Sequence, residues 1–172
     1  LYIREEIDSY FDENLSLGED LLFNLAYLKK AKKVSFVGVC PYYYIENETS
    51  LTKQYRADLI QIAERLYKAS MKFILENRLG EKAVNDAGGV FVKSVIYGCY
   101  DICVLSKMSG RKKKEEITRW LQKKTVQTAL AHSGLENMQQ RMAAFLLRKQ
   151  YIDILIFFNR MKQVLSYLRN RK

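Results

Sequence analysis

One proline, one histidine and one tryptophan in 172 residues close off several classes of structure and chemistry. With Pro41 the only residue lacking a backbone donor, helices meet almost no obstacle along the chain. His132 has no Cys or carboxylate at metal-ligand spacing, so it reads as a helix-end histidine and not as a zinc ligand. Cys40, Cys99 and Cys103 are odd in number and form no CxxC, which excludes a disulfide framework and leaves small buried thiols of a reducing compartment. No clean run of about 20 apolar residues, the length a bilayer requires, is present. Val90 to Leu105 is interrupted by Lys93 and Asp101, and Tyr151 to Tyr167 by Asp153, Asn159, Arg160 and Lys162. A P-loop and a GxGxxG are both missing. Leu1 stands where Met would, and no charged segment with a cleavable apolar run follows, which points to a chain that starts inside a longer protein.

What is present is globular: 48% hydrophobic residues, 12 Tyr and 8 Phe supply a real core. The net charge of +10 is uneven. Residues 1–54 hold 6 Lys and Arg against 9 Asp and Glu, whereas residues 55–172 hold 23 against 10. Two units with different surfaces follow, the second suited to an anionic partner.

The acidic unit mixes patterns. Asp12 to Asn14 is turn-like, and Leu21, Leu22, Leu25 and Leu28 share a helical face behind Gly18-Glu19-Asp20, in a helix expected to end in lysines near Ala31. Val34 to Val39 and Tyr42 to Ile45 are rich in strand formers, with Pro41 between them confining the segment to an edge or a bend. From about residue 55 the period is helical throughout. Leu59, Ile62, Ala63, Leu66, Ala69, Phe73 and Ile74 form one stripe, closed at Gly80, where a left-handed cap is expected. A second helix carries Phe91, Val92, Val95, Ile96, Cys99, Ile102 and Cys103 on more than one face, as a central helix does. Further helices are expected over Glu115 to Ala131, Glu136 to Leu147 and Tyr151 to Arg169, the last with Ile154, Leu155, Phe158, Met161, Leu165 and Leu168 along one stripe. Arg111 to Lys114, the strongest charge run, reads as a solvated loop before a helix.

The stretch Phe11-Asp12-Glu13, Gly18-Glu19-Asp20 and Phe23, followed by Pro41-Tyr42-Tyr43-Tyr44 and then Ser50 and Thr52, resembles the end of the catalytic domain of family 2 glycosyltransferases. These are inverting enzymes of GT-A fold that use nucleotide sugars. The resemblance covers the first third of the chain and implies a bacterial enzyme of surface polysaccharide synthesis, working in the cytoplasm at the inner face of the membrane. Together with the helical periods beyond residue 55 it gives an expected mainly α chain: residues 1–54 a short α/β remnant ending the GT-A domain, residues 55–172 a basic bundle of four to six helices.

By resemblance, Asp20 is the carboxylate that takes the proton from an acceptor hydroxyl as it attacks the anomeric carbon, and Glu19 positions Asp20 or the acceptor. A base helps because a sugar hydroxyl is a poor nucleophile until its proton is leaving. Read without the flanking motifs, the same two acids would do no more than stabilise the exposed amides of a first helical turn. Tyr44, Ser50 and Thr52 match the closing segment and are assigned substrate contact, whereas Tyr43 fits a core-covering strand. Relatives carry Arg or His close after the tyrosines; here Ile45-Glu46-Asn47 stands instead. The DxD motif through which a Mg or Mn ion neutralises the donor diphosphate is nowhere in the chain, so this stretch alone is expected neither to hold the cation nor to transfer sugar. Arg119-Trp120 resembles the end of the QxxRW motif of processive synthases, but Glu116 stands where the Gln belongs.

The expected partners are a nucleotide-sugar donor and a glycan or lipid-linked acceptor in the whole enzyme. The basic tail would contact the catalytic domain, an anionic membrane or a second copy. An alternative of another class is a basic helical binding or dimerisation module without catalysis. Nucleic acid fits poorly, because the cations are scattered over several helices without a helix-turn-helix pattern.

Overall fold

The computed structural model describes residues 2–35, 38 and 55–169, and the chain divides into two compact units, Leu1–Gln54 and Tyr55–Lys172. It is mainly α-helical; among the described residues there are seven α-helices, one short 3-10 helix and no strand.

In the first unit a 3-10 turn, Arg4–Glu6, precedes α1, Glu19–Leu28. Asp12 makes the expected turn, its Oδ1 accepting from the Asn14 amide at 3.0 Å. The segment before α1 is tied to it by aromatic side chains. Tyr2 donates to Asn24 Oδ1 at 2.6 Å, the Tyr27 hydroxyl accepts from the Ile3 amide at 2.9 Å, and the Tyr2 ring meets Phe23 and Tyr27 edge-on. The helix stops at Leu28, before its lysines, so these cap its end from outside instead of lying in its last turn. Val34, Ser35 and Gly38 have no strand pairing; the rest of the expected strand segments lies outside the described residues.

The second unit holds six helices: α2 (Leu59–Glu76), α3 (Gly80–Val104), α4 (Gly110–Leu121), α5 (Lys124–His132), α6 (Met138–Arg148) and α7 (Ile152–Arg169). The centre is α3, which touches all the others. Phe91, Val92, Val95, Cys99 and Ile102 are buried along it, and Tyr67 of α2 stacks on Phe91 with ring centroids 4.7 Å apart. By length and composition α3 could cross a membrane, but half of its most apolar stretch is packed against its neighbours, as a bundle's central helix must be.

Three boundaries differ from the sequence expectations. The left-handed residue ending α2 is Arg78, at φ 52°; Gly80 also has positive φ, 83°, but opens α3. Leu79 donates to the Ile74 carbonyl and Arg78 to that of Leu75, which satisfies two end carbonyls of α2. Arg111 to Lys114 is not a loop but the first turn of α4, capped by the Ser109 hydroxyl. Within it Lys113 is buried, its Nζ donating to the Cys103 carbonyl at 2.8 Å, so one cation of the run closes the end of α3. The single helix expected from Glu115 to Ala131 is broken at Gln122 and Lys123 into α4 and α5. At that break Glu64 of α2 accepts from Lys123 Nζ at 2.8 Å and Thr125 Oγ1 at 2.7 Å, a carboxylate placed at the start of α5, where the helix dipole favours it.

Candidate functional site

Gly18 turns the chain into α1 with φ 79°, a conformation glycine adopts without steric cost, and its carbonyl accepts from the Leu22 amide at 3.3 Å. Leu15, buried just upstream, anchors the approach. Glu19 and Asp20 therefore occupy the first turn of α1, with different surroundings. Asp20 is exposed, and its Oδ1 accepts from the Leu21 amide at 2.7 Å, which fixes the carboxylate at the helix start. Glu19 is half-buried, and its Oε2 is fully enclosed without a hydrogen-bond partner among the described residues. An enclosed carboxylate oxygen with no partner is costly, and such orphans call for an explanation. Chemically, the pair offers a solvent-facing acceptor of protons beside an enclosed acceptor with an open valence.

Tyr44, Ser50 and Thr52, the other expected contacts, lie outside the described residues, as do Tyr42 and Tyr43.

In the second unit the remaining candidates resolve into structure. Trp120 is a core residue, its Nε1 donating to Glu116 Oε1 at 2.9 Å, so the match of Arg119-Trp120 to a synthase motif falls on a packing position. The groove along α4, about 480 Å³, is lined by Arg111, Lys114 and Arg119. All three are neutralised: Arg111 by Glu115 at 2.9 Å, Arg119 by Glu116 at 2.7 Å, and Lys114 by Asp153. A cleft of about 300 Å³ between the end of α5 and α6 holds Ser133, Arg141, Phe145 and Arg148; Arg148 donates to the Leu130 carbonyl and so closes the last turn of α5. His132 is exposed at the end of α5. Cys99 and Cys103 are free and buried, and burial raises both thiols above their ordinary range, so they are inert. Among the described residues no group of three His, Cys, Asp or Glu side chains is placed to hold a metal ion.

The spacing of residues 151–169 conceals one functional feature: α7 has two apolar faces, and the expected stripe does not fall on the buried one. Leu155 is buried together with Ile152 and Asn159, while Ile154, Phe158, Met161, Leu165 and Leu168 are exposed. A count of residues on each face, in place of a search for one stripe, would have found both.

No family model, no curated protein and no solved structure matches the chain.

Proposed function

We propose that the chain is the carboxyl-terminal part of an inverting nucleotide-sugar glycosyltransferase, in which Asp20 is the general base and Glu19 orients the acceptor. The observation that carries this reading is the first turn of α1. There a fixed, exposed carboxylate stands beside a glutamate whose enclosed oxygen has no partner among the described residues. In that role Asp20 withdraws the acceptor proton as the hydroxyl oxygen bonds to the anomeric carbon from the face opposite the leaving diphosphate. The open oxygen of Glu19 is free to accept a hydroxyl of the acceptor or a donor group of the preceding domain. A divalent cation would supply charge neutralisation at the diphosphate. By the resemblance, that cation belongs to the DxD motif of the donor-binding half, a motif this sequence does not contain. The basic helical unit is then the enzyme's tail.

The test is Asp20→Asn in the full-length enzyme, with turnover, donor affinity and melting temperature measured together. Asparagine keeps the size and can still accept from Leu21, but takes no proton. Turnover is expected to fall by about a hundred- to ten-thousand-fold with donor affinity and melting temperature unchanged. Turnover within a few fold of wild type would remove Asp20 as base. It would leave the two acids as stabilisers of a helix start, an effect of roughly 0.3–1 kcal/mol.

A further inference from the structure

The outer face of α7 is unlike any other surface of the helical unit. Ile154, Phe157, Met161, Val164, Leu165 and Leu168 recur mostly at steps of three and four and share roughly 100° of the helix circumference at about 100° per residue. All six point away from the buried face and remain between 42% and 60% exposed, with Phe158 at their edge. A contiguous apolar surface of this kind marks an interaction site. On α6, Met138, Met142 and Phe145 are likewise exposed on the side opposite Ala144 and Leu147, and Lys162 of α7 donates to Gln139 of α6 at 3.2 Å.

Charge identifies what covers this face. Residues 137–172 contain eight Lys and Arg and one acidic residue, Asp153, which is already taken by Lys114. Elsewhere on the unit many exposed cations are answered, Lys72 by Glu76, Lys82 by Asp86, Arg111 by Glu115 and Arg119 by Glu116, although Arg78, Lys107, Lys112 and Lys124 have no ion pair among the described residues. Among the described residues Arg141, Lys149 and Arg160 have no such answer. Arg160 and Lys162, both exposed, fall on opposite flanks of the apolar arc. A second copy packed on this face would bring these cations against their own equivalents, with no carboxylate free to separate them. A transmembrane role is excluded by Asp153, Arg160 and Lys162 within an 18-residue helix.

We infer that the outer face of α7 docks in the plane of an anionic lipid bilayer, with its apolar arc at the boundary of headgroups and acyl chains and Arg160 and Lys162 reaching lipid phosphates. The apolar area supplies insertion and the flanking cations supply selectivity for negative lipid. Their long stems allow them to cover the edge of the arc while their charges stay in water. This inference is independent of the catalytic reading, since it uses no residue of α1.

The experiment is co-sedimentation of the 172-residue chain with vesicles of phosphatidylcholine, alone or mixed with phosphatidylglycerol, at low and high salt. Binding is expected to the mixed vesicles, weakened by salt, with little to phosphatidylcholine alone. Arg160→Gln with Lys162→Gln should weaken it about fivefold per charge removed. Phe157→Asn with Leu165→Asn should abolish it, while the circular dichroism and melting temperature stay those of wild type, because neither position is in the core. Absence of binding to mixed vesicles, or equal binding to both kinds, would overturn the proposal. So would a chain that is dimeric in solution, is made monomeric by the Phe157 and Leu165 substitutions, and ignores vesicles.

Discussion

Glu64 shows how much one side chain decides in this bundle. Lys123 foremost, then Thr125, hold its carboxyl at about 2, far below the ordinary 4.5, and Lys68 adds a third contact at 3.2 Å. Only 14% of the side chain is exposed, so solvent screens these contacts less than it does an ordinary surface pair. The folded state prefers the ionised form, so the stabilisation is complete above 4.5 and is lost as pH falls from there toward about 2. Asp101 acts in the opposite sense. Burial pushes it up to about 6, so its ionisation weakens the fold as pH rises from 3.8 through that value. Glu64→Gln is expected to cost about 1.5–3 kcal/mol at neutral pH, the worth of hydrogen bonds to a charged group, and progressively less in acid. Urea denaturation of both proteins across that pH window checks it. A difference that stays constant through the window would show that the packing of Glu64, not its charge, matters.

At the scale of elements, α3 and α4 meet where glycine faces tryptophan. A Cβ on Gly98 would stand 2.6 Å from Cζ3 and 2.7 Å from Cη2 of Trp120, and 3.2 Å from Leu59 Cδ2. Trp120 is 2% exposed and its indole is tied to Glu116, so it has no room to swing aside. Gly98→Ala gains about 1 kcal/mol of helix propensity but sets overpacking of about 1–3 kcal/mol against it, together with a strained indole hydrogen bond. A net loss of about 1–2 kcal/mol is expected by chemical denaturation, accompanied by a shift in tryptophan fluorescence; a gain in stability would show that the two helices pass less closely. The same elements show what sequence can and cannot reveal. The apolar periods of α2, α6 and α7 mark those helices to within a few residues, because an amphipathic stripe is a local property, whereas the stripe of α3 begins at Phe91 and leaves its first turns from Gly80 unmarked. The break at Lys123 was invisible, because no Gly or Pro signals it, and the carboxylate that meets it comes from α2, about sixty positions away. The stripe of α7 was legible but not its direction, because both faces are apolar and only tertiary packing chooses between them. In the first unit, Gly18-Glu19-Asp20 was legible as a helix start, but the enclosed oxygen of Glu19 depends on surroundings that no local pattern encodes.

Over the whole molecule, the two units differ in what they can bury. Among the described residues of 1–54 only Leu15 is buried, and α1 has no buried residue, with Leu21, Leu22 and Leu25 left half-covered. Residues 55–172 contain one continuous core in which Phe91, Ile102, Ile117, Trp120 and Leu147 from three helices are almost fully enclosed. A domain of this size buries well over half of the surface its unfolded chain exposes, enough to fold without disulfide or metal. Its helix ends are also closed from within, by Lys113 on α3, Arg148 on α5 and Asn137 on α6, so it needs no partner to satisfy them. Residues 55–172 expressed alone are therefore expected to be helical, to unfold in one cooperative transition and to melt within a few degrees of the 172-residue chain. Residues 1–54 alone should show no cooperative transition, since among their described residues only Leu15 is buried. Circular dichroism melts and native-state hydrogen exchange on both pieces distinguish the outcomes. If residues 55–172 melted broadly or far below the intact chain, the helical unit would depend on the first 54 residues for its fold.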